Sequence, residues 1–171
     1  LLFLSGNYNE SIGAYDSAIE KNRSNMYAWQ QKCACLSALG KNYETIDCLN
    51  QALQINPLDT DILTSLGNAL ISQGNFSQAI KYFNKAIEAD ENSSEAYCGL
   101  GIALGSMKRN KESIASFDQA LRADPNNEIA WFYKGLTLYE LNRYQEAITC
   151  YENAARLNSG FDLAYAGKGD A

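Results

Sequence analysis

The sequence predicts an all-α chain, a right-handed solenoid in which antiparallel helix pairs stack one on the next. Three observations predict it. Residue types recur at a fixed step of 34, apolar residues inside each step keep helical spacing, and the composition is poor in what a sheet needs. Among 171 residues there is no valine and there are only two prolines, Pro57 and Pro125. Buried strands lose a main β-branched residue, and long helices meet few breaks.

The step of 34 is carried by several columns in one register. One holds Cys33, Gly67, Gly101, Gly135 and Gly169, and another holds Ala18, Ala52, Ala86, Ala120 and Ala154. Ile12, Ile46, Ile80, Ile114 and Ile148 form a third, and Leu2, Leu36, Leu70, Leu104 and Leu138 a fourth. Large side chains fill two more: Trp29, Leu63, Tyr97, Trp131 and Tyr165, then Tyr15, Leu49, Phe83, Phe117 and Tyr151. Six columns sharing a period identify a repeat architecture.

Each unit reads as two amphipathic helices. Trp131, Gly135 and Leu138, spaced by 4 and 3, share the face of a first helix. After a break at Leu141-Asn142-Arg143, Ala147, Ile148, Tyr151 and Ala154 repeat that spacing on a second. Asn25, Asp59, Ser93 and Asn127 precede the four first helices, and all are good N-caps. Gly6, Gly40 and Gly74 fall at the turn between helices, where a left-handed residue is wanted, and Pro57 and Pro125 fall where second helices must end. The chain therefore divides into a partial unit 1–25, complete units 26–59, 60–93, 94–127 and 128–161, and a fragment 162–171, all one array over 1–171. Both ends cut through a first helix, so a piece of a longer array is expected.

Composition narrows the function. With 14 basic against 20 acidic residues the net charge is −6, which argues against nucleic acid and anionic membrane as partners. Leu1-Leu2-Phe3-Leu4 is too short for a signal peptide, and no apolar run approaches the ~20 residues of a membrane span. Histidine is absent, which removes the usual proton shuttle and the commonest metal ligand. No glycine-rich phosphate loop and no nucleophile with a matched base occur, so the expectation is no catalysis, no cofactor and no metal. Five cysteines at irregular spacing, Cys33, Cys35, Cys48, Cys98 and Cys150, read as reduced thiols packed as small apolar groups in a cytoplasmic protein.

The pattern Trp131-x-x-Lys134-Gly135-x-x-Leu138, then Ala147-x-x-x-Tyr151-x-x-Ala154, resembles the tetratricopeptide repeat, as do Tyr97, Leu100, Gly101, Phe117, Ala120 and Pro125. The resemblance covers the whole chain. Departures are Cys33 in the glycine column, Asn42 and Asn110 where an aromatic is usual, and Lys32, Lys134 and Lys168 in place of leucine. The resemblance implies that first helices line a concave groove, facing a bound protein or peptide with residues that vary between units. Those residues are Tyr27, Gln30, Asp61, Thr64, Asn68, Glu95, Cys98, Ile102, Ile129, Phe132, Leu136 and Tyr139, with Ala34, Ala38, Ser72, Ser106 and Glu140 on the same faces. This inventory holds no Lys or Arg. Relatives that clamp a C-terminal carboxylate use Lys, Asn and Arg at these places, and only Asn68 matches, which argues against such a clamp. The expected function is a non-catalytic scaffold or adaptor whose apolar strip, Ile102 to Tyr139, takes a partner segment. The rivals are end-to-end self-association through Leu1-Leu2-Phe3-Leu4 and Asp162–Ala171, and the recruiting arm of an enzyme lying outside the fragment.

Overall fold

A computed structural model of the chain describes residues 7–158. Gly6, Lys168 and both end segments invoked for self-association lie outside the described residues. Within them run nine α-helices: α1 (Tyr8–Lys21), α2 (Met26–Ala38), α3 (Asn42–Ile55), α4 (Thr60–Ser72), α5 (Phe76–Ala89), α6 (Ser94–Ser106), α7 (Asn110–Ala123), α8 (Glu128–Glu140) and α9 (Tyr144–Leu157). They form two compact units, Leu1–Ala89 and Asp90–Ala171. In the first, α1 to α5 pack each on the next in order; in the second, α6 packs on α7 and also reaches α8, and α8 packs on α9.

Helix ends follow the sequence signals. The side chains of Asn25, Asp59, Ser93 and Asn127 accept the backbone N–H of Ala28, Ile62, Ala96 and Ala130 at 3.1, 3.0, 3.3 and 2.9 Å. Each cap satisfies an orphan donor and contributes about 1 kcal/mol. At the turn within each repeat the chain takes a left-handed residue: Gly40 (φ 69°), Gly74 (φ 74°), Lys108 (φ 60°) and Asn142 (φ 60°). Bonds from the N–H of Lys41, Asn75, Arg109 and Arg143 to the carbonyls of Leu36, Leu70, Leu104 and Leu138, at 3.0, 2.9, 3.0 and 3.0 Å, close all four turns as Schellman motifs. Pro57 and Pro125 each stand two residues beyond a second helix, α3 and α7.

The repeated columns are the core. A Cβ built on Gly67, Gly101 or Gly135 would stand 2.6 Å from the ring of Phe83, Phe117 or Tyr151. Glycine is thus what lets the second helix of each repeat press its aromatic onto the first. Ala52, Ala86, Ala120 and Ala154 are fully buried. Where Cys33 replaces glycine, Leu49 replaces the aromatic, so one large–small contact is traded for a milder one.

One expectation is overturned. Cys33 and Cys48 are joined by a disulfide, with 5.6 Å between their Cα atoms. Irregular spacing speaks against a multi-bridge framework, but not against a single bridge across two helices of one repeat. The close approach of α2 and α3 at the glycine column brings facing residues into the 4.4–6.8 Å window that a disulfide needs. Cys150 repeats the position of Cys48 at a step of 102, but the position of Cys33 is there taken by Gly135, which has no thiol. Cys35, Cys98 and Cys150 are free and buried.

The lysines in the leucine column are compensated. Lys32 Nζ meets Asp16 at 2.7 Å and Lys134 Nζ meets Asp118 at 2.6 Å. Each ammonium also lies 5.5 Å from the ring of a tryptophan on its own helix, Trp29 or Trp131. Where the column keeps leucine, at Leu66 and Leu100, the residues at the aspartate position are Asn50 and Asn84. Charge enters both positions together.

Candidate functional site

Two clefts open along first helices, one in each unit. In the first unit α2 and α4 form the walls and α3 the floor of a cleft of about 550 Å³. Gln30, Gln31, Ala34, Ser37 and Ala38 stand on one wall, Asp61, Ser65, Asn68, Ala69 and Ser72 on the other, with Asn42, Thr45 and Leu49 below. In the second unit Ile102, Gly105 and Ser106 of α6 face Tyr133, Leu136, Thr137 and Glu140 of α8 over Phe117, enclosing about 190 Å³.

The structure brings together Gln30, Asp61 and Asn68 in the first cleft and Ile102 and Leu136 in the second. Tyr27 (65% exposed), Glu95 and Ile129 (45%) are open to solvent but line neither cleft. Two expected groove residues are corrected. Thr64 and Cys98 are 9% and 5% exposed, so neither is presented to a partner. Cys98 packs on Phe117, Ala120, Leu121 and Ala130. Its face of α6 is therefore covered by the first helix of the following repeat, α8. Burial pushes the Cys98 thiol up to about 12, with the carboxylates of Glu95 and Glu128 adding to the effect, so it stays protonated and inert.

Phe132 and Tyr139 are half-buried and pack on the α8/α9 core around Leu138, Cys150 and Tyr151. The Phe132 ring lies 5.9 Å from that of Tyr151. The cleft-lining residue is Tyr133, one position on. The same offset distinguishes Ser65 from Thr64. Both belong to stripes that a 4-3-4 spacing along the helix would have marked: Asp61, Ser65, Asn68, Ser72 on α4, and Tyr133, Leu136 or Thr137, Glu140 on α8.

The inventory without a cation also needs correction. Lys108, in the left-handed turn after α6, lines the second cleft and pairs with Glu140 at 2.8 Å. Below it, Ser113 Oγ donates to the Gly101 carbonyl at 2.8 Å and Thr137 Oγ1 to the Tyr133 carbonyl at 2.9 Å, which fixes the floor. At the other end of α6, Asn127 Nδ2 donates to Ser94 Oγ, and Ser94 Oγ to the Ala120 carbonyl, at 2.9 and 3.0 Å. These bonds tie the starts of α6 and α8 to the end of α7, holding the two walls at a set spacing. Among the described residues no group of three or more His, Cys, Asp or Glu side chains could hold a metal, and no helix is long and apolar enough to cross a membrane.

A tetratricopeptide repeat family model matches residues 98–160, and a second, described as TPR repeat, matches 67–108. Together they run unbroken over more than half of the chain, on the same glycine, aromatic and alanine columns that form the core. The chain belongs to the tetratricopeptide repeat family. Over 73 residues it is 33% identical to the small glutamine-rich tetratricopeptide repeat-containing protein 2 of Mycosarcoma maydis, a match that covers 43% of this chain and 21% of that protein. The TPR fold is shared with solved structures at low identity. YrrB, described as a TPR protein with an unusual peptide-binding site, aligns with a TM-score of 0.75 at 22% identity over 99% of this chain and 87% of its own. PilW, a type IV pilus biogenesis factor, aligns at 0.86 and 18% over 99% and 82%. MamA aligns at 0.78 and 18%, covering 92% of each chain.

Proposed function

We propose that the chain is a non-catalytic scaffold that binds a protein or peptide segment along the concave faces of its first helices, through Gln30, Asp61 and Asn68 in one unit and Ile102 and Leu136 in the other. One observation carries the reading. In the repeats from α2 to α9 the glycine, aromatic and alanine columns are buried and reach the clefts only as floor, while the wall residues Gln30, Asp61, Asn68, Ile102 and Leu136 differ from repeat to repeat and stay at least partly accessible. Packing thus explains the constant positions and leaves the variable ones for recognition. Ile102, Tyr133 and Leu136 place apolar surface beside polar rims, an arrangement that marks protein contact. The likeness to YrrB supports a peptide as the ligand class, and the generally non-catalytic character of the repeat supports a scaffold.

The test is amide shift mapping by NMR with a random-sequence library of short acetylated peptides. Shifts are expected at Gln30, Asp61, Asn68, Ile102 and Leu136. Replacing Ile102 and Leu136 by Ser should abolish those of the second unit without loss of helicity. Shifts confined to outer-face residues such as Tyr43, or none at all, reject the reading.

A further inference from the structure

We infer that the α2/α4 cleft selects its partner by one positive charge: it takes an extended segment whose Lys or Arg side chain lies against Asp61 while the amides of Gln30 and Asn68 hold its main chain. The inference rests on the concave reading above and narrows it to one ligand chemistry.

Charge is the first argument. Asp61 is the one charged residue among those lining the cleft, and no Lys or Arg stands with it. Elsewhere five carboxylates are neutralised by a neighbour, the one that lines the second cleft among them. Asp16, Asp118, Glu112, Glu140 and Glu146 each lie within 2.8 Å of a Lys or Arg nitrogen. Asp61, exposed in the first turn of α4, makes no ion pair among the described residues. An acid at the edge of a cleft without a local cation lends that cleft a negative potential, which attracts a cationic side chain and repels an acidic one.

The second argument is hydrogen-bonding capacity. The side-chain amides of Gln30, Gln31, Asn42 and Asn68 make no hydrogen bond to the described chain. Each offers both a donor pair and an acceptor, the combination that matches the N–H and C=O of an unpaired backbone. A helical partner has satisfied its own backbone and has no use for them. An extended one does. Between the amides the walls are small, with Ala34, Ser37, Ala38 and Ala69, so a main chain can approach closely. The volume of about 550 Å³ is that of a ligand pocket. The second cleft lacks this chemistry, because Lys108 already neutralises Glu140 and no side-chain amide lines it.

The test uses three libraries of short acetylated peptides with random flanks and a fixed central Lys, Glu or Leu, each titrated into the whole chain and followed at the Asp61 and Asn68 amides. The Lys library should bind most tightly, weaken as salt is raised, and lose about fivefold in affinity with Asp61→Asn, the effect of one exposed ion pair. Asp61→Lys should transfer the preference to the Glu library. Equal binding of all three libraries in this cleft, or indifference to Asp61→Asn with helicity intact, overturns the charge selection while leaving concave binding in place. Absence of shifts in both clefts with every library overturns the scaffold reading as well.

Discussion

Adding a single methyl at Gly101 tests whether the glycine column exists for close approach. The Cβ of an alanine there would stand 2.6 Å from Cε1 and 2.8 Å from Cδ1 and Cζ of Phe117. Carbon atoms rest at about 3.5–4.0 Å, so the ring must retreat by roughly 1 Å. It has nowhere to go, because Phe117 is 1% exposed and packs on Cys98, Ala120, Leu121 and Ala130. Overpacking of this kind costs about 1–3 kcal/mol, and alanine returns about 1 kcal/mol in helix propensity. Gly101→Ala should therefore destabilise by up to about 2 kcal/mol, a fall in melting temperature of up to roughly 8 °C for a chain of this size. The rescue is already present in the molecule, where Cys33 stands opposite Leu49. Phe117→Leu alone should cost about 1–2 kcal/mol for the void it leaves, and the double variant should recover at least about 1 kcal/mol relative to the sum of the singles. Gly13→Ala is the control, since a Cβ there meets nothing within 4 Å, and it should stabilise by up to about 1 kcal/mol. Urea unfolding followed by circular dichroism reads all four. Additivity of the two substitutions, or stabilisation by Gly101→Ala as large as by Gly13→Ala, would refute the close-approach argument.

Lys134→Leu should destabilise by about 1–2 kcal/mol, through loss of the Asp118 ion pair and the Trp131 contact, and adding Asp118→Asn should restore most of it, as the native Leu66 and Asn50 positions do; a double variant no better than the single in urea unfolding would reject the compensation. Lys108→Gly should raise stability by about 1 kcal/mol, since glycine adopts φ 60° without strain and the Glu140 pair it loses is exposed; an unchanged midpoint would count against it. Thiol titration should find no reactive cysteine in the native chain at pH 8, three after unfolding without reductant, and five after reduction; a count of five without reductant would disprove the bridge. Burial raises Cys98 to about 12 and Cys150 to about 11. The unfolded chain then loses its thiol protons first, so stability should be full below about pH 9 and decline as pH climbs toward those values, and thermal melts at stepped alkaline pH would show it.

Helix count, register and caps were legible in the sequence because they are local or strictly periodic. A cap needs only Asn25 and the N–H three residues on, and the glycine–aromatic contact recurs at a constant step. The outcome at Cys33 was not legible, because bridging depends on the distance between α2 and α3 and not on spacing along the chain. The cleft lining was legible at Asp61, Asn68, Ile102 and Leu136, whose columns stay at least partly accessible in every described repeat, and at Gln30. It failed at Thr64 and Cys98. They share a column with Gln30 and Phe132 that is buried or half-buried throughout, and Cys98 shows the cause: the helix of the next repeat, carrying Ala130, covers it. A helical wheel drawn on one helix has no knowledge of that neighbour. Lys108 escaped for a related reason, since a turn residue has no place on a helix face and yet folds over the cleft beside Glu140.

The two kinds of recurrence carry different loads. The step of 34 fixes glycine, aromatic and alanine, and the repeats of Gly67, Gly101 and Gly135 share the same close approach to an aromatic ring. The step of 102 carries Trp29 with Trp131, Lys32 with Lys134 and Asp16 with Asp118, a module in which a charged pair and an aromatic face replace leucine as a unit. Because lysine, aspartate and tryptophan compensate one another locally, such a module can be exchanged for Leu and Asn without disturbing the glycine contact beside it. The wall residues Asp61 and Leu136 stand outside both patterns. Asp61 and Leu136 make none of the contacts that define either step, so changing one alters recognition at small cost to folding. The proposed selection by charge in one cleft and by apolar contact in the other uses positions that the packing leaves unconstrained.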